Sequence, residues 1–233
     1  MRRRAAGTSS PARRAAWLAA RAARYPNTFA EFAACRPLAT VPGKLRIISG
    51  KWRRRTLPVP PVEGLRPTPD RVRETLFNWL AADVEGARCL DLYAGSGALG
   101  FEAASRGAAR VVLVERDARA VDSMRAQARM LEAHEMRVVQ ADVPSWLESP
   151  GEVFDIVFID PPYASRDLGA VCARLDAGGW LAGEALVYLE TADVPQPLPL
   201  PAGWQVLRRQ RAGRVRYHLA AAGAAARLDA PAD

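Results

Sequence analysis

After Gly86 the chain keeps a rhythm that few folds accept: short, almost unbroken apolar runs, each followed by a stretch with helical spacing. Arg88 to Leu92 reads as a strand, Ala98 to Ser105 as a helix, Val111 to Glu115 as a strand and Ala118 to about Ala133 as a helix. Further strands are expected over Arg137 to Gln140, Phe154 to Ile159 and Ala185 to Leu189. A strand apolar at consecutive positions must be covered on both faces, and alternating helices supply that cover, so the sheet is expected to be parallel. Trp204 to Arg209 and Val215 to Leu219 bracket Ala212-Gly213, so the sheet should end in an antiparallel hairpin. The expected class is α/β, a mostly parallel seven-stranded Rossmann-like sheet.

Ahead of that body, Leu45 to Ile48 and Trp52 to Leu57 flank Ser49-Gly50-Lys51, a hairpin signal. Five prolines between Pro58 and Pro69 read as an extended connector. Thr68-Pro69-Asp70 then starts a helix, with Thr68 as N-cap, proline at the first position and an acid in the first turn. Val72, Leu76, Trp79 and Leu80 recur at helical spacing and should face the body, with Arg71, Glu74 and Asn78 on another face. The expected organisation is an Arg/Ala-rich extension over 1–43, a hairpin and helix over 44–80, the main α/β domain over 81–220 and a flexible tail over 221–233. The extension reads as disordered, with an RNA-contacting arm or a transit peptide as the other readings its composition allows.

The net charge of +8 is polarised. Residues 1–43 carry +7, 44–80 carry +6, 81–207 carry −9 and 208–233 carry +4. Arginine outnumbers lysine 31 to 2, which coding bias explains, but coding bias does not separate the signs along the chain. Basic flanks around an acidic body suit a protein whose flanks meet phosphate while its body binds something smaller. No run of eighteen apolar residues exists to span a membrane. Cys35, Cys89 and Cys172 are scattered, and only His134 and His218 are available to join them. They read as reduced packing thiols in a cytoplasmic protein, with no metal site.

Two motifs carry the chemistry. Gly95-Ser96-Gly97-Ala98-Leu99-Gly100 follows the first strand of the body and opens a helix, a pattern that dehydrogenases and methyltransferases share. Asp91 stands four residues before the first glycine, placed to order the loop or to hold a ligand ammonium. Glu115 ends the next strand, where an acid accepts ribose hydroxyls, and Asp142 follows the third, at a height suited to an adenine amino group. Three acids around one crevice would repel a pyrophosphate and accept a sulfonium and an ammonium, so S-adenosylmethionine is the expected cofactor.

The second motif, Asp160-Pro161-Pro162-Tyr163, ends the run Phe154 to Ile159. An exocyclic base amine is a poor nucleophile because its lone pair is delocalised into the ring. Acceptors for its two N–H groups favour a pyramidal nitrogen and free that pair. The Asp160 side chain and the Pro161 carbonyl suit this role, and prolines at 161 and 162 stiffen that carbonyl's direction. Tyr163 would stack on the extruded base, worth about 1–3 kcal/mol.

Longer stretches carry a family resemblance. Leu45-Arg-Ile-Ile-Ser-Gly-Lys-Trp-Arg53, Gly64-Leu-Arg-Pro-Thr68, Asp70-Arg-Val-Arg-Glu-Thr-Leu-Phe-Asn-Trp79, Leu90-Asp-Leu-Tyr-Ala-Gly-Ser-Gly-Ala-Leu-Gly100 and Asp160 to Tyr163 resemble bacterial small-subunit rRNA guanine-N2 methyltransferases of the RsmD type. The likeness runs from about Leu45 to Leu219 and takes in Gly178-Gly-Trp180 and Glu184-Ala-Leu-Val-Tyr-Leu-Glu190. Residues 1–43 lie outside it. It implies a class I S-adenosylmethionine-dependent methyltransferase acting on N2 of one guanine in 16S rRNA of the small ribosomal subunit, expected as a monomer. By motif, Asp160, Pro161, Pro162 and Tyr163 would be catalytic, and Asp91, Gly95, Gly97, Glu115 and Asp142 cofactor-binding. An adenine-N6 methyltransferase and a glutamine-N5 protein methyltransferase use related motifs and are the rival readings.

For RNA contact the candidates are Lys51, Arg53, Arg54 and Arg55 on the hairpin, with Arg66 and Arg71 beyond it. A second patch is expected at Arg208, Arg209, Arg211, Arg214 and Arg216. Replacing Arg53, Arg54 and Arg55 together with alanine should weaken RNA binding similarly across sequences and flatten its salt slope. Binding measured at several salt concentrations checks this, and an unchanged slope would reject it.

Overall fold

In the computed structural model, residues 16–17, 19–20, 23, 43–62, 68–162, 168–192, 198–213 and 215–222 are described. Strands β1 (Lys44–Arg46) and β2 (Thr56–Pro58) form a small antiparallel sheet. Helix α1 (Asp70–Trp79) follows, and then the expected alternation: β3 (Arg88–Leu92), α2 (Ala98–Ser105), β4 (Arg110–Glu115), α3 (Ala118–Met130) and β5 (Met136–Gln140). The second half holds α4 (Val143–Trp146), β6 (Phe154–Ile159), α5 (Leu168–Ala177), β7 (Leu181–Ala192), β8 (Gln205–Ala212) and β9 (Val215–Ala222). Helices α4 and α5 were not anticipated.

The seven-stranded sheet runs in the order β5-β4-β3-β6-β7-β9-β8. β5, β4, β3, β6 and β7 are mutually parallel, and β9 inserts antiparallel between β7 and β8. The terminal hairpin is therefore present as expected, with its second strand innermost. β7 begins four residues earlier than the apolar run implied, because Gly183 and Glu184 look like a break in sequence yet remain within the strand. β9 extends to Ala222, two residues past the expected domain end, where Ala221 and Ala222 are buried. α3 stops at Met130, short of the expected Ala133, because Glu132 takes a left-handed φ of 52°.

Each sheet face carries its own apolar layer. α1, α2, α3 and the N-terminal hairpin cover one face, through Leu45, Leu57, Phe77, Phe101, Val121, Phe158 and Tyr188. α4 and α5 cover the other, through Val143, Val171, Leu90, Phe154 and Trp180. The hairpin and α1 thus share a core with the sheet. The Phe77 ring lies 5.9 Å from that of Phe158. Burying a side chain of that size contributes about 1.5–3 kcal/mol. As expected, Val72, Leu76 and Leu80 are buried, while Trp79 is half-buried against Tyr217. No helix among the described residues is long and apolar enough to cross a membrane.

The hairpin differs from expectation. Its strands are shorter, because beyond Ile47 and Arg55, still joined by a backbone hydrogen bond at 2.9 Å, residues 48–54 wrap onto the end of α2. The Lys51 N–H donates to the Ser105 carbonyl at 2.8 Å and the Trp52 N–H to the Ser105 hydroxyl at 3.0 Å. A Cβ on Gly50 would sit 1.8 Å from that carbonyl oxygen, and Gly50 has φ +80°, so only glycine permits the approach.

A buried charge network locks this contact. Glu102, wholly buried on α2, accepts from the N–H groups of Ile48 and Ser49 at 2.9 and 3.0 Å, from Arg106 at 2.7 Å and from Arg73 at 3.4 Å. Arg73 also donates to Asp70, to the Arg46 carbonyl at 2.8 Å and to the Thr68 carbonyl at 3.2 Å. Removing one partner from such a group leaves an uncompensated buried charge, a loss of about 3–5 kcal/mol. Thr68 itself is not the N-cap. Pro69 takes that position with ψ 143°, no side chain caps the helix, and the Thr68 hydroxyl bonds Asp160 instead.

Candidate active site

Between β3 and β6 the strand order reverses: β4 and β5 lie on one side, β6 and β7 on the other. Such a switch point opens a crevice at the carboxyl ends of parallel strands, where ligands of open α/β sheets bind. The carboxylates anticipated from the sequence gather at this edge. Glu115 closes β4, Asp91 lies within β3, Asp142 follows β5 and Asp160 follows β6.

Asp91 is buried, and its Oδ2 accepts from the Gly100 N–H at 2.8 Å, so it holds the first turn of α2. Burial raises its carboxyl well above the usual range against the pull of that bond, and nearby Asp160 and Glu115 raise it further. Glu115 accepts from the Gly95 N–H at 2.9 Å through Oε2, and from the Arg116 and Asp117 N–H groups at 2.8 and 2.9 Å through Oε1. The two acids therefore brace the glycine loop from both ends, and the Glu115 oxygens retain capacity for further donors. Left-handed φ recurs at every second residue of the loop: 59° at Tyr93, 55° at Gly95 and 75° at Gly97. At Tyr93 that conformation costs about 1–3 kcal/mol, strain of a kind that collects at ligand sites. Gly97 precedes α2, and a Cβ there would meet the Phe101 ring at 2.8 Å. Asp142 is exposed, and the Ser145 hydroxyl donates to it at 3.4 Å.

Across the crevice, Asp160 is half-buried. Burial pushes its carboxyl up to about 6, and the Thr68 hydroxyl, which hydrogen-bonds it, acts in the opposite direction. Pro161 is half-buried and Pro162 exposed. Tyr163 and Arg66 lie outside the described residues. Behind Asp160, on β7, the Tyr188 hydroxyl donates to Glu190 at 2.7 Å. Thr68, Tyr188 and Glu190 are the site neighbours that sequence reasoning missed. The only signal for them was their place within stretches of family resemblance, which says nothing of contact.

The basic residues divide. Arg53, Arg54 and Arg55 are exposed. Arg53 and Arg54 join Arg46, Ile47, Ile48 and Glu74 around a cleft of about 250 Å³. Arg71 is exposed on α1. Lys51 is engaged within the protein, its ammonium paired with Glu135 and 4.2 Å from the centre of the Trp52 ring. The second patch is also smaller than expected: Arg208 is buried, Arg216 half-buried, and Arg211 donates to the Gly213 carbonyl at 2.9 Å. Arg214 lies outside the described residues.

A family model described as "Conserved hypothetical protein 95" matches residues 45–221. "Ribosomal RNA small subunit methyltransferase D" of Escherichia coli strain K12 is 48% identical over 178 residues, covering 76% of this chain and 89% of that protein. The protein of the same name from Haemophilus influenzae is 40% identical over 181 residues, covering 76% and 93%. A solved Escherichia coli structure, described as a candidate methyltransferase, superposes with a TM-score of 0.72 at 47% identity, covering 78% of this chain and 99% of that one.

The raised Asp160 carboxyl has a consequence for stability. Its folded-state value, about 6, lies above that of an unfolded aspartate near 3.9, so the penalty on stability is absent below about 4, accumulates as pH rises from there to 6, and is complete above 6. Asp160→Asn should therefore melt at a higher temperature than the parent at pH 8, with the gain fading as pH falls towards 4. Thermal unfolding at the two pH values checks this, and a gain independent of pH would contradict it.

Proposed function

Because the chain belongs to the RsmD-type family of small-subunit rRNA methyltransferases, we propose that it methylates the exocyclic N2 amine of one guanine in 16S rRNA. The methyl donor is S-adenosylmethionine, and the substrate is the assembled small-subunit particle. The observation that carries this reading is the half-buried Asp160 at the switch point, across from the braced glycine loop.

The crevice suits that donor. Asp91, a buried carboxyl raised well above its usual range, gains from a cationic neighbour, and a ligand ammonium would return it to the ionised form. Glu115 would receive ribose hydroxyls, Asp142 an adenine amino group, and Gly95 and Gly97 let the backbone approach closely. When bound, the donor supplies a methyl group on a sulfonium, open to in-line attack.

The chain's own residues do the rest. Asp160 and the Pro161 carbonyl accept from the two N–H groups of the amine and turn its lone pair towards the methyl group. Thr68 holds the Asp160 carboxylate in direction, and is itself held through its carbonyl by buried Arg73. Positioning of this kind can supply roughly 7–11 kcal/mol of a barrier. Tyr163 would stack on the base. Arg53, Arg54, Arg55, Arg66 and Arg71 would meet phosphates, with the cleft beside Arg53 and Arg54 the nearest built feature.

Transfer of labelled methyl to 16S rRNA alone and to small-subunit particles, followed by nucleoside mass analysis, tests the reading. N2-methylguanosine at one position is expected, and N6-methyladenosine or methylated glutamine would overturn it. In the same assay Asp160→Ala should slow transfer by 10²-fold or more, a loss of about 3 kcal/mol, with cofactor affinity near that of the parent.

A further inference from the structure

Glu190 is a carboxylic acid in the interior of a central strand, and the function described so far gives it nothing to do. β6 and β7 run parallel and pair Phe158 with Tyr188 and Ile159 with Leu189, so the next residues, Asp160 and Glu190, follow side by side. In adjacent parallel strands such residues point to the same face, here the one occupied by Phe158 and Tyr188. Glu190 is 5% exposed. Among the described residues, the groups that act on it are acids and hydroxyls: Asp160 after β6, Tyr188 from its own strand, and Tyr217, its registered partner on β9. The Tyr217 hydroxyl donates to Gln210 on β8 at 2.5 Å, and from α1 Thr75 hydrogen-bonds it while the charge of Arg71 acts on it; from β3 the charge of Asp91 interacts with Asp160.

Resting on the reading above, we propose that Glu190 is a positioning residue for methyl transfer: its carboxyl shares one proton with Asp160 and donates it in a hydrogen bond that keeps the Asp160 carboxylate aimed at the substrate amine. Two adjacent carboxylates in an apolar layer cannot both ionise cheaply, so one stays protonated. Burial first, and Asp160 second, push Glu190 up to about 8, while Asp160 stands at about 6. Between those values the pair carries a single negative charge, and its titration belongs to both groups. The Tyr188 hydroxyl donates to Glu190 at 2.7 Å and the Thr68 hydroxyl bonds Asp160; the proton held by Glu190 would complete the series with a bond to Asp160. This leaves Asp160 as the acceptor at the end of a chain of donors. In the reaction the carbon–nitrogen bond forms as the carbon–sulfur bond breaks, with the electron pair left on sulfur. The surplus proton on nitrogen leaves to water. Glu190 keeps its own proton throughout.

The test is the pH dependence of kcat for methyl transfer to small-subunit particles. The parent should rise with an apparent pKa near 6, as Asp160 ionises, and fall near 8, as Glu190 loses the shared proton. Glu190→Gln still presents an N–H to Asp160 but cannot ionise. It should lower kcat at pH 7 by about three- to tenfold, leave KM for the particle as in the parent, keep the acid limb and lose the fall near 8. Tyr188→Phe removes a hydroxyl that favours the ionised form of Glu190, so its fall should move to higher pH. This second variant carries the test if Glu190→Gln fails to fold, as judged by its melting curve. A fall near 8 that persists in Glu190→Gln, or stays put in Tyr188→Phe, or is missing from the parent, overturns the inference. Asp160→Ala separates the two claims. Full activity in that variant sinks the reading of the site, whereas lost activity with an unchanged Glu190→Gln profile sinks only the role of Glu190.

Discussion

The parallel pairing of β3 with β6 is the contact on which everything else in the molecule turns. These strands are far apart in sequence, yet Asp91 lies opposite Phe158 and Leu92 opposite Ile159. That register carries the glycine loop out of one strand and Asp160 out of the next, on the same edge. A one-residue slip would send Asp91 to the opposite face, away from α2 and the Gly100 N–H that it holds. Apolar side chains on both faces of β3 and β6 make such a slip costly, so the core fixes the chemistry's geometry.

Acidic groups are expensive on an apolar face, and the structure treats its buried acids in two ways. Glu102 is given backbone N–H groups and two arginines, and it serves to dock the hairpin and α1 on the sheet. Asp91, Asp160 and Glu190 receive hydrogen bonds but, among the described residues, no such cationic cage, and all three carboxyls are raised. The first arrangement builds the fold. The second stores unfavourable charge where a cationic ligand and an amine would use it, a pattern that marks functional sites. The networks meet at Thr68, whose carbonyl accepts from Arg73 and whose hydroxyl bonds Asp160. The N-terminal segment therefore contributes to the site as well as presenting exposed basic residues.

Much of this was legible in the chain. β3, α2 and β6 fall where their apolar runs begin and end, because those patterns are local and unbroken. Asp91, Glu115 and Asp160 gather at one edge as anticipated, because strand ends in a parallel sheet converge by topology, whatever the side-chain detail. What escaped depends on contacts between distant segments. Thr68 looks like a helix cap and is recruited by a residue 92 positions away. The hairpin tip looks solvent-exposed, yet Gly50 lets it settle on Ser105. Glu190 sits in an apolar stretch where an acid reads as an exception until β6 is laid beside it.

A structure of the protein seated on the small-subunit particle with S-adenosylhomocysteine bound would show directly what Asp160 holds. One guanine is expected swung out of its helix, its amino nitrogen about 3 Å from both the Asp160 carboxylate and the Pro161 carbonyl, on the cofactor's sulfur side. A base held at another edge of the sheet, or an amino group out of reach of Asp160, would contradict it.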